Sequence, residues 1–131
     1  MPDSAMANEL HKVLDSVSAV EPSELIRCSL CQHPVSAAQF RIRINGDYQH
    51  RFSNPSQQVF DVVCLQMAPG VAIRGEATSE HTWFQGFTWQ FGHCEQCGEH
   101  LGWYYQGSST APSTTTPSFF ALISARLKEA R

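Results

Sequence analysis

The sequence has little charge, and outside its C-terminal stretch that charge is scattered. Charged residues make up 16% of the chain, the formal net charge is −3, and Arg27, Arg41, Arg43, Arg51 and Arg74 are scattered. Only the stretch Arg126–Arg131 gathers basic residues. A protein that grips a phosphate backbone needs a basic stripe, so nucleic acid is not expected as a partner. No apolar run approaches the roughly 20 residues that span a bilayer, and no membrane partner is expected. The N-terminal MPDSAMANELHKVLDS has neither the basic start nor the apolar centre of a secretory signal, so a cytoplasmic, reducing setting is expected. Internal repeats are lacking, as is any carboxylate dyad or nucleophile–base pair, so the sequence offers no basis for hydrolysis. Its 131 residues suit one domain with a modest core.

Five cysteines are present, an odd number in a reducing setting, which favours thiolate ligation over disulfides. Four form two Cys-x-x-Cys pairs, Cys28/Cys31 and Cys94/Cys97. That spacing lets both sulfurs of one turn face one point, and two such turns supply a closed tetrahedral zinc site. Residues 32–93 separate the pairs, too many for a compact zinc ribbon. The expected structural Zn2+ therefore clamps two distant hairpin turns, with Gly98 completing the second. Two unrelated buried thiol pairs, or a redox Cys-x-x-Cys, would use the same letters, although the βαβ setting of the redox motif is missing. His93 and His100 flank the second pair as bystanders or substitute ligands. Cys64, among Val62, Val63 and Leu65, reads as a buried thiol.

The patterning is mainly β. Residues 5–18 place Leu10, Val13, Leu14 and Val17 at helical spacing, in a short amphipathic helix or a frayed leader. Phe40–Ile44 alternates apolar and basic residues before the hairpin signal Asn45-Gly46-Asp47. Val59–Leu65 reads as a buried strand ended by Pro69-Gly70, and Val71–Arg74 as a short extended piece. Trp83–Phe91 reads as two short strands turning near Gly86. Leu101–Tyr105 is a further strand, residues 107–118 a polar loop, and Phe119–Ile123 a last strand or the start of a helix. The expected division is a leader at 1–24, a domain at 25–125 and a basic tail at 126–131.

All three tryptophans, Trp83, Trp89 and Trp103, lie within a short stretch around the second cysteine pair. They could simply fill a core. Their neighbours His81, Thr82, Gln85 and Gln90 are poor filler for a dry interior, which favours an aromatic pocket. Trp103 and Tyr105, two apart on a strand, share a face of it. Such a pocket suits a compact ligand with apolar faces and a hydrogen-bonding edge.

The order Glu80-His81-Thr82-Trp83-Phe84-x-Gly86-Phe87-x-Trp89, Cys94-x-x-Cys97, His100-Leu101-Gly102-Trp103-x-Tyr105 resembles the thalidomide-binding (CULT) domain of the cereblon family. Cys28-x-x-Cys31 and Asn54-Pro55 fall where that family has its first zinc pair and its ligand-covering loop. The resemblance runs from about Ile26 to Ile123, and is with the short single-domain bacterial members. It implies a β-tent fold, two antiparallel sheets meeting near a structural four-cysteine zinc site, and a pocket for cyclic imides such as glutarimide. By the same resemblance Trp83, Trp89 and Trp103 form a cage, with Tyr105 lining it where vertebrate members carry Phe. The His81 backbone accepts from the imide N–H, the Trp83 backbone N–H donates to an imide carbonyl, Asn54 approaches from the covering loop, and Phe60 lies beside it. The implied natural ligands are cyclised Asn or Gln residues, or metabolites with a uracil-like edge.

The loop Ser53–Gln58 departs from the vertebrate pattern after Asn54-Pro55, and the segments that dock a ubiquitin-ligase adaptor in vertebrates are not expected in this length. A monomeric, non-enzymatic binding module is therefore expected. Two alternatives stand beside it. One is an aromatic-cage reader of quaternary ammonium groups, with Glu80 or Glu99 as its carboxylate. The other is a methionine sulfoxide reductase-like enzyme using Cys64.

Overall fold

A computed structural model describes residues 24–107 and 118–129. The helical spacing at 5–18 and most of the polar loop at 107–118 lie outside the described residues. Among these described residues nine strands occur in this order: β1 Leu25–Cys28, β2 Pro34–Ala37, β3 Gln49–Ser53, β4 Val59–Leu65, β5 Val71–Thr78, β6 Phe87–Cys94, β7 His100–Gly107, β8 Phe119–Ile123 and β9 Leu127–Glu129. They form two antiparallel sheets, a three-stranded one ordered β2-β1-β9 and a six-stranded one ordered β3-β4-β8-β7-β6-β5. The mainly-β, two-sheet expectation is met. Among the described residues no helix is long and apolar enough to cross a membrane.

β8 and the second half of β4, Val62–Leu65, are apolar runs buried on both faces, which is why they show no alternation, while Val59 and Asp61 in the first half of β4 are exposed. Val63 and Leu65 of β4, Phe120 and Leu122 of β8 and Leu101 of β7 enter a core shared with Ile26, Cys28, Val35 and Leu127 of the smaller sheet. Val62, Cys64, Phe119, Ala121 and Ile123 turn the other way, into a second core with Ile44, Phe84, Trp103 and Tyr105. One face of the large sheet thus packs toward the cysteine pairs, and the opposite face carries the aromatic residues.

A bulge in β7 decides which residues go where. Gly92 pairs with Gly102, but His93 pairs with His100, leaving Leu101 as the extra residue. Strict alternation would put Leu101 on the side of Trp103. The bulge turns Leu101 into the cysteine-side core while Trp103 and Tyr105 stay in the aromatic one. Next to it, a Cβ on Gly102 would lie 2.2 Å from the Ala121 carbonyl oxygen and 2.8 Å from Leu122 Cα. Only glycine lets β7 and β8 approach this closely.

Three local expectations need correction. Phe40–Ile44 is not a strand: Ala38–Phe40 forms a 3-10 turn, and Arg41 makes one isolated bridge to Leu65. The Asn45-Gly46 turn does form, but its only rung is Ile44 to Asp47, because the Phe40 and Tyr48 carbonyls bond instead to Gln66 and Cys64. The alternation recorded which side chains face inward, Ile44 among them, and not a ladder. Residues 83–91 are not two short strands either. Residues 79–86 form a loop with turns closed by Thr82 N–H to Ser79 O and Phe87 N–H to Phe84 O, and β6 begins at Phe87. Finally, the segment expected as a basic tail returns to the fold. Leu127 is buried, and β9 pairs with β1 from Cys28 to Ile26.

Candidate functional site

Cys28, Cys31, Cys94 and Cys97 converge, all four Sγ atoms lying within 4.8 Å of one another. The closest approaches are Cys28 to Cys97 at 3.7 Å and Cys31 to Cys94 at 3.6 Å. A tetrahedron of thiolates about 2.3 Å from a central ion has edges of about 3.8 Å, close to the two shortest sulfur separations, so the cluster could hold a divalent metal. Each pair sits in the same turn. Gln32 N–H donates to Cys28 O at 2.8 Å and Cys28 N–H to His33 O at 2.9 Å. Gly98 N–H donates to Cys94 O at 2.9 Å and Cys94 N–H to Glu99 O at 2.8 Å. The residue after each second cysteine takes positive φ, +69° at Gln32 and +84° at Gly98. His33 and Glu95 join the two turns through a 2.8 Å contact between Nε2 and Oε2. Burial pushes the Cys94 thiol up to about 12, so without a cation it holds its proton, and a bound metal reverses that balance. His93 and His100 lie outside the sulfur cluster.

On the opposite face of the large sheet lies a cavity of about 420 Å³. All seven ligand-site candidates from the sequence, Asn54, Phe60, His81, Trp83, Trp89, Trp103 and Tyr105, line it. Three structural sources supply them. Trp89 comes from β6, and Trp103 and Tyr105 from β7, directly opposite Phe91 and Trp89 in the ladder. Phe60 comes from β4, and Asn54 from the turn between β3 and β4. His81 and Trp83 come from the loop before β6, where His81 holds φ +57°.

The rings stand edge to face. Trp83 and Trp103 are 4.8 Å apart at 73°, and Phe60 lies 5.5 Å from Trp103 and 6.0 Å from Trp83. Trp83 stacks on Phe52 at 4.9 Å, and its indole N–H donates to Ser53 O at 3.2 Å, tying this wall to the covering loop. The Trp89 indole donates to Glu80 O at 2.8 Å. Their indole donors thus serve the frame, leaving ring faces for the cavity. Asn54 closes its own loop, its Oδ1 accepting from Gln58 N–H at 2.9 Å, which leaves the amide NH2 as its free polar group. Tyr105 is core as well as wall: it is 2% exposed and packs on Phe84 and Phe119. Burial raises its phenol well above the ordinary value, with the Trp83 backbone N–H pulling the other way.

Five further lining residues, Pro55, Gln58, Phe91, His100 and Arg126, are not among the sequence candidates. In sequence His100 stands beside the metal pair; in the fold its ring meets Trp103 edge-on at 5.2 Å, and Nε2 sits 3.0 Å from Gly102 O. Burial lowers its pKa, with His93 and Arg126 acting the same way and the hydrogen bond to Gly102 O and nearby Glu99 opposing. Arg126 donates to His100 O at 2.7 Å. No signal marks Arg126 in the sequence, because its place depends on β8 and β9 returning beside β7 and β1. Cys64 is fully buried, is not part of the cavity wall, and has its thiol pushed up to about 12 by burial and then by Asp47.

No protein-family model matches the chain. Curated relatives do. Cereblon of Drosophila willistoni is 31% identical over 115 residues, which is 85% of this chain and 18% of that protein. Cereblon of Gallus gallus is 26% identical over 76 residues, 58% of this chain and 17% of that protein. Cereblon of Xenopus tropicalis is 32% identical over 54 residues, 41% of this chain and 12% of that protein. The matched region is thus less than a fifth of the length of these relatives. Together with the two-sheet fold and the cysteine cluster, these similarities identify a cereblon-like domain with a candidate metal centre.

Proposed function

We propose that this domain is a non-enzymatic binding module for small cyclic imides, with a structural zinc ion holding its frame. The observation that carries the reading is the convergence of Trp83, Trp89, Trp103 and Phe60 on one cavity whose remaining wall includes the loop from His81 to Trp83. A flat imide ring has apolar CH2 edges for indole faces, and a carbonyl–NH–carbonyl edge that backbone groups can read. The His81 carbonyl as acceptor and the Trp83 backbone N–H as donor are the proposed partners of that edge, with the Asn54 amide approaching from the covering loop. Glutarimide has about eight heavy atoms and can gain up to roughly 8 kcal/mol, so micromolar affinity is the best expected. Cyclised Asn or Gln residues and uracil-like rings carry the same edge and form the proposed ligand class. A closed set of four thiolates suits zinc better than harder cations.

The alternatives fare worse. An ammonium-reading cage needs a favourable field for a cation, yet the cavity wall holds Arg126 and no carboxylate among the described residues. A sulfoxide reductase needs an accessible, acidic thiol, whereas the spare Cys64 is buried and its thiol is pushed up to about 12. The proposed unit works as a monomer in a reducing, cytoplasmic setting, without a nucleic-acid, membrane or ubiquitin-ligase partner.

The test is a tryptophan-fluorescence titration of the zinc-loaded protein with glutarimide, competed with tetramethylammonium. Saturable quenching at micromolar to sub-millimolar glutarimide is expected. Absence of quenching, or tighter binding of the ammonium ion, would overturn the proposal.

A further inference from the structure

The cavity is aromatic on most sides, but one corner of it carries a fixed positive charge. Arg126 ends the 3-10 turn Ser124–Arg126 between β8 and β9, is half-buried, and is held by its Nη1 bond to His100 O at 2.7 Å. That bond uses one of the five N–H donors of the guanidinium. Among the described residues no carboxylate forms an ion pair with it. Glu99, close enough to act on His100, is not its partner. A held cation with spare donors and no counter-ion among the described residues is unusual in a wall built mostly of aromatic rings, and its other surroundings suggest a reason. Arg126, Gln58 and Phe60 also line a neighbouring groove of about 530 Å³ that continues past Ser124 and Ala125, and whose one carboxylate, Asp61, is held in an ion pair with Arg51. Arg126 therefore stands where a group attached to a ring in the cage would leave the aromatic cavity.

The geometry points to a ligand that is a cyclic imide or cyclic ureide bearing an anionic substituent, with the ring in the tryptophan cage and the anion at Arg126. This rests on the cyclic-imide reading and narrows it. The shared chemistry is an oxyanion on a short tether. The planar guanidinium fork suits carboxylate and phosphate alike. His100, half-buried, positions the fork through its backbone carbonyl.

Two matched pairs of probes test this: 3-acetamidoglutarimide against 3-(3-carboxypropanamido)glutarimide, and uridine against uridine 5′-monophosphate. The quantity read is the ratio of affinities, anionic over neutral, from tryptophan fluorescence at low and at moderate salt. The wild-type ratio is expected to be about fivefold or more in at least one pair, as for a charge-assisted contact at a partly exposed site, and to shrink with salt. Which pair shows it separates a carboxylate from a phosphate. In Arg126→Gln the ratio should fall toward one, and Arg126→Lys should keep part of it. A wild-type ratio of one or below in both pairs overturns the inference while leaving imide binding intact. A ratio that survives in Arg126→Gln overturns the assignment to this residue. If neither member of either pair binds, the cyclic-imide reading fails and this inference with it. Should Arg126→Gln not fold, the salt dependence of the wild-type ratio still decides.

Discussion

Trp103 and Trp89 both line the cavity, yet truncating them should have different consequences for the fold. Trp103 is 9% exposed and belongs to the second core, touching Trp83, Phe60 and His100 through ring contacts of 4.8 to 5.5 Å. A buried Trp removes up to about 250 Å² from water, worth roughly 5–6 kcal/mol at about 25 cal/mol per Å². Truncation of Trp to Ala in cores costs about 3–5 kcal/mol. One side of this ring already borders empty space, so it has fewer packing contacts to lose. Trp103→Ala should therefore fall at the lower end, about 3 kcal/mol. Trp89 is partly exposed and lies on β6, with one hydrogen bond to Glu80 O. Trp89→Ala should cost about 1–1.5 kcal/mol. Both variants should lose most glutarimide binding. The assay is urea unfolding at fixed excess zinc, followed by titration of the same preparations. Equal stability losses for the two variants, or a loss below about 1 kcal/mol for Trp103→Ala, would show that the large sheet does not use Trp103 as core.

Two further outcomes follow from the same face of the sheet and from the cysteine turns. Gly102→Ala should destabilise by at least the ~3 kcal/mol upper end of ordinary overpacking, because the new methyl meets backbone of β8 at 2.2 Å and not a yielding side chain. Gly98→Ala, with open space around its Cβ but φ of +84°, should lose only about 1–2 kcal/mol; urea midpoints of both would rank them. Cys64 gives a pH signature. Its folded thiol is raised to about 12 against an ordinary value of 9.0, so the folded state holds the proton longer than the unfolded state. The stability from Cys64 is complete below about pH 9 and is lost as pH rises toward 12, by up to about 1.4 kcal/mol per unit. Stability measured from pH 8 to 10.5 should fall more steeply for wild type than for Cys64→Ala, and identical slopes would contradict the burial argument.

How much of this was legible in the sequence depended on how local each determinant is. The cysteine cluster could be read because each half is encoded within four residues, and a tetrahedral ion needs two such halves. β4 and β8 could be read because stretches buried on both faces leave unbroken apolar runs, Val62–Leu65 in the second half of β4 and Phe119–Ile123 in β8. Trp103 and Tyr105 share a face by simple alternation. The failures are non-local. Phe40–Ile44 has strand alternation, but the carbonyls that would extend a ladder are taken by β4 and the residue after it. The Leu101 bulge, which sorts Leu101 and Trp103 into different cores, has no mark in sequence beyond a neighbouring glycine. Arg126 and His100 meet only because β8 pairs with β7 and β9 pairs with β1. Nothing within a few residues of Arg126 reports that.

The cysteine centre and the cavity are joined through β7. The strand leaves the second cysteine turn at His100, passes Leu101 into the cysteine-side core, and then presents Trp103 and Tyr105 to the cavity. His100 touches both systems: its ring meets Trp103, its carbonyl holds Arg126, and Glu99 before it closes the turn onto Cys94 N–H. Loss of the metal should therefore weaken ligand binding before it unfolds the large sheet, since four converging thiols that must take back protons no longer hold that turn. Chelation of the zinc-loaded protein should release one zinc per chain and lower glutarimide affinity about tenfold or more, while far-UV dichroism keeps most of its β signal. Cys94→Ser should bind less than one zinc and reproduce the same loss of affinity. Metal-free protein that keeps both its fold and its full glutarimide affinity would refute the coupling, and would mean that β8, pairing with Trp103 and Tyr105 from the other side, positions the aromatic wall without help from the cysteine turns.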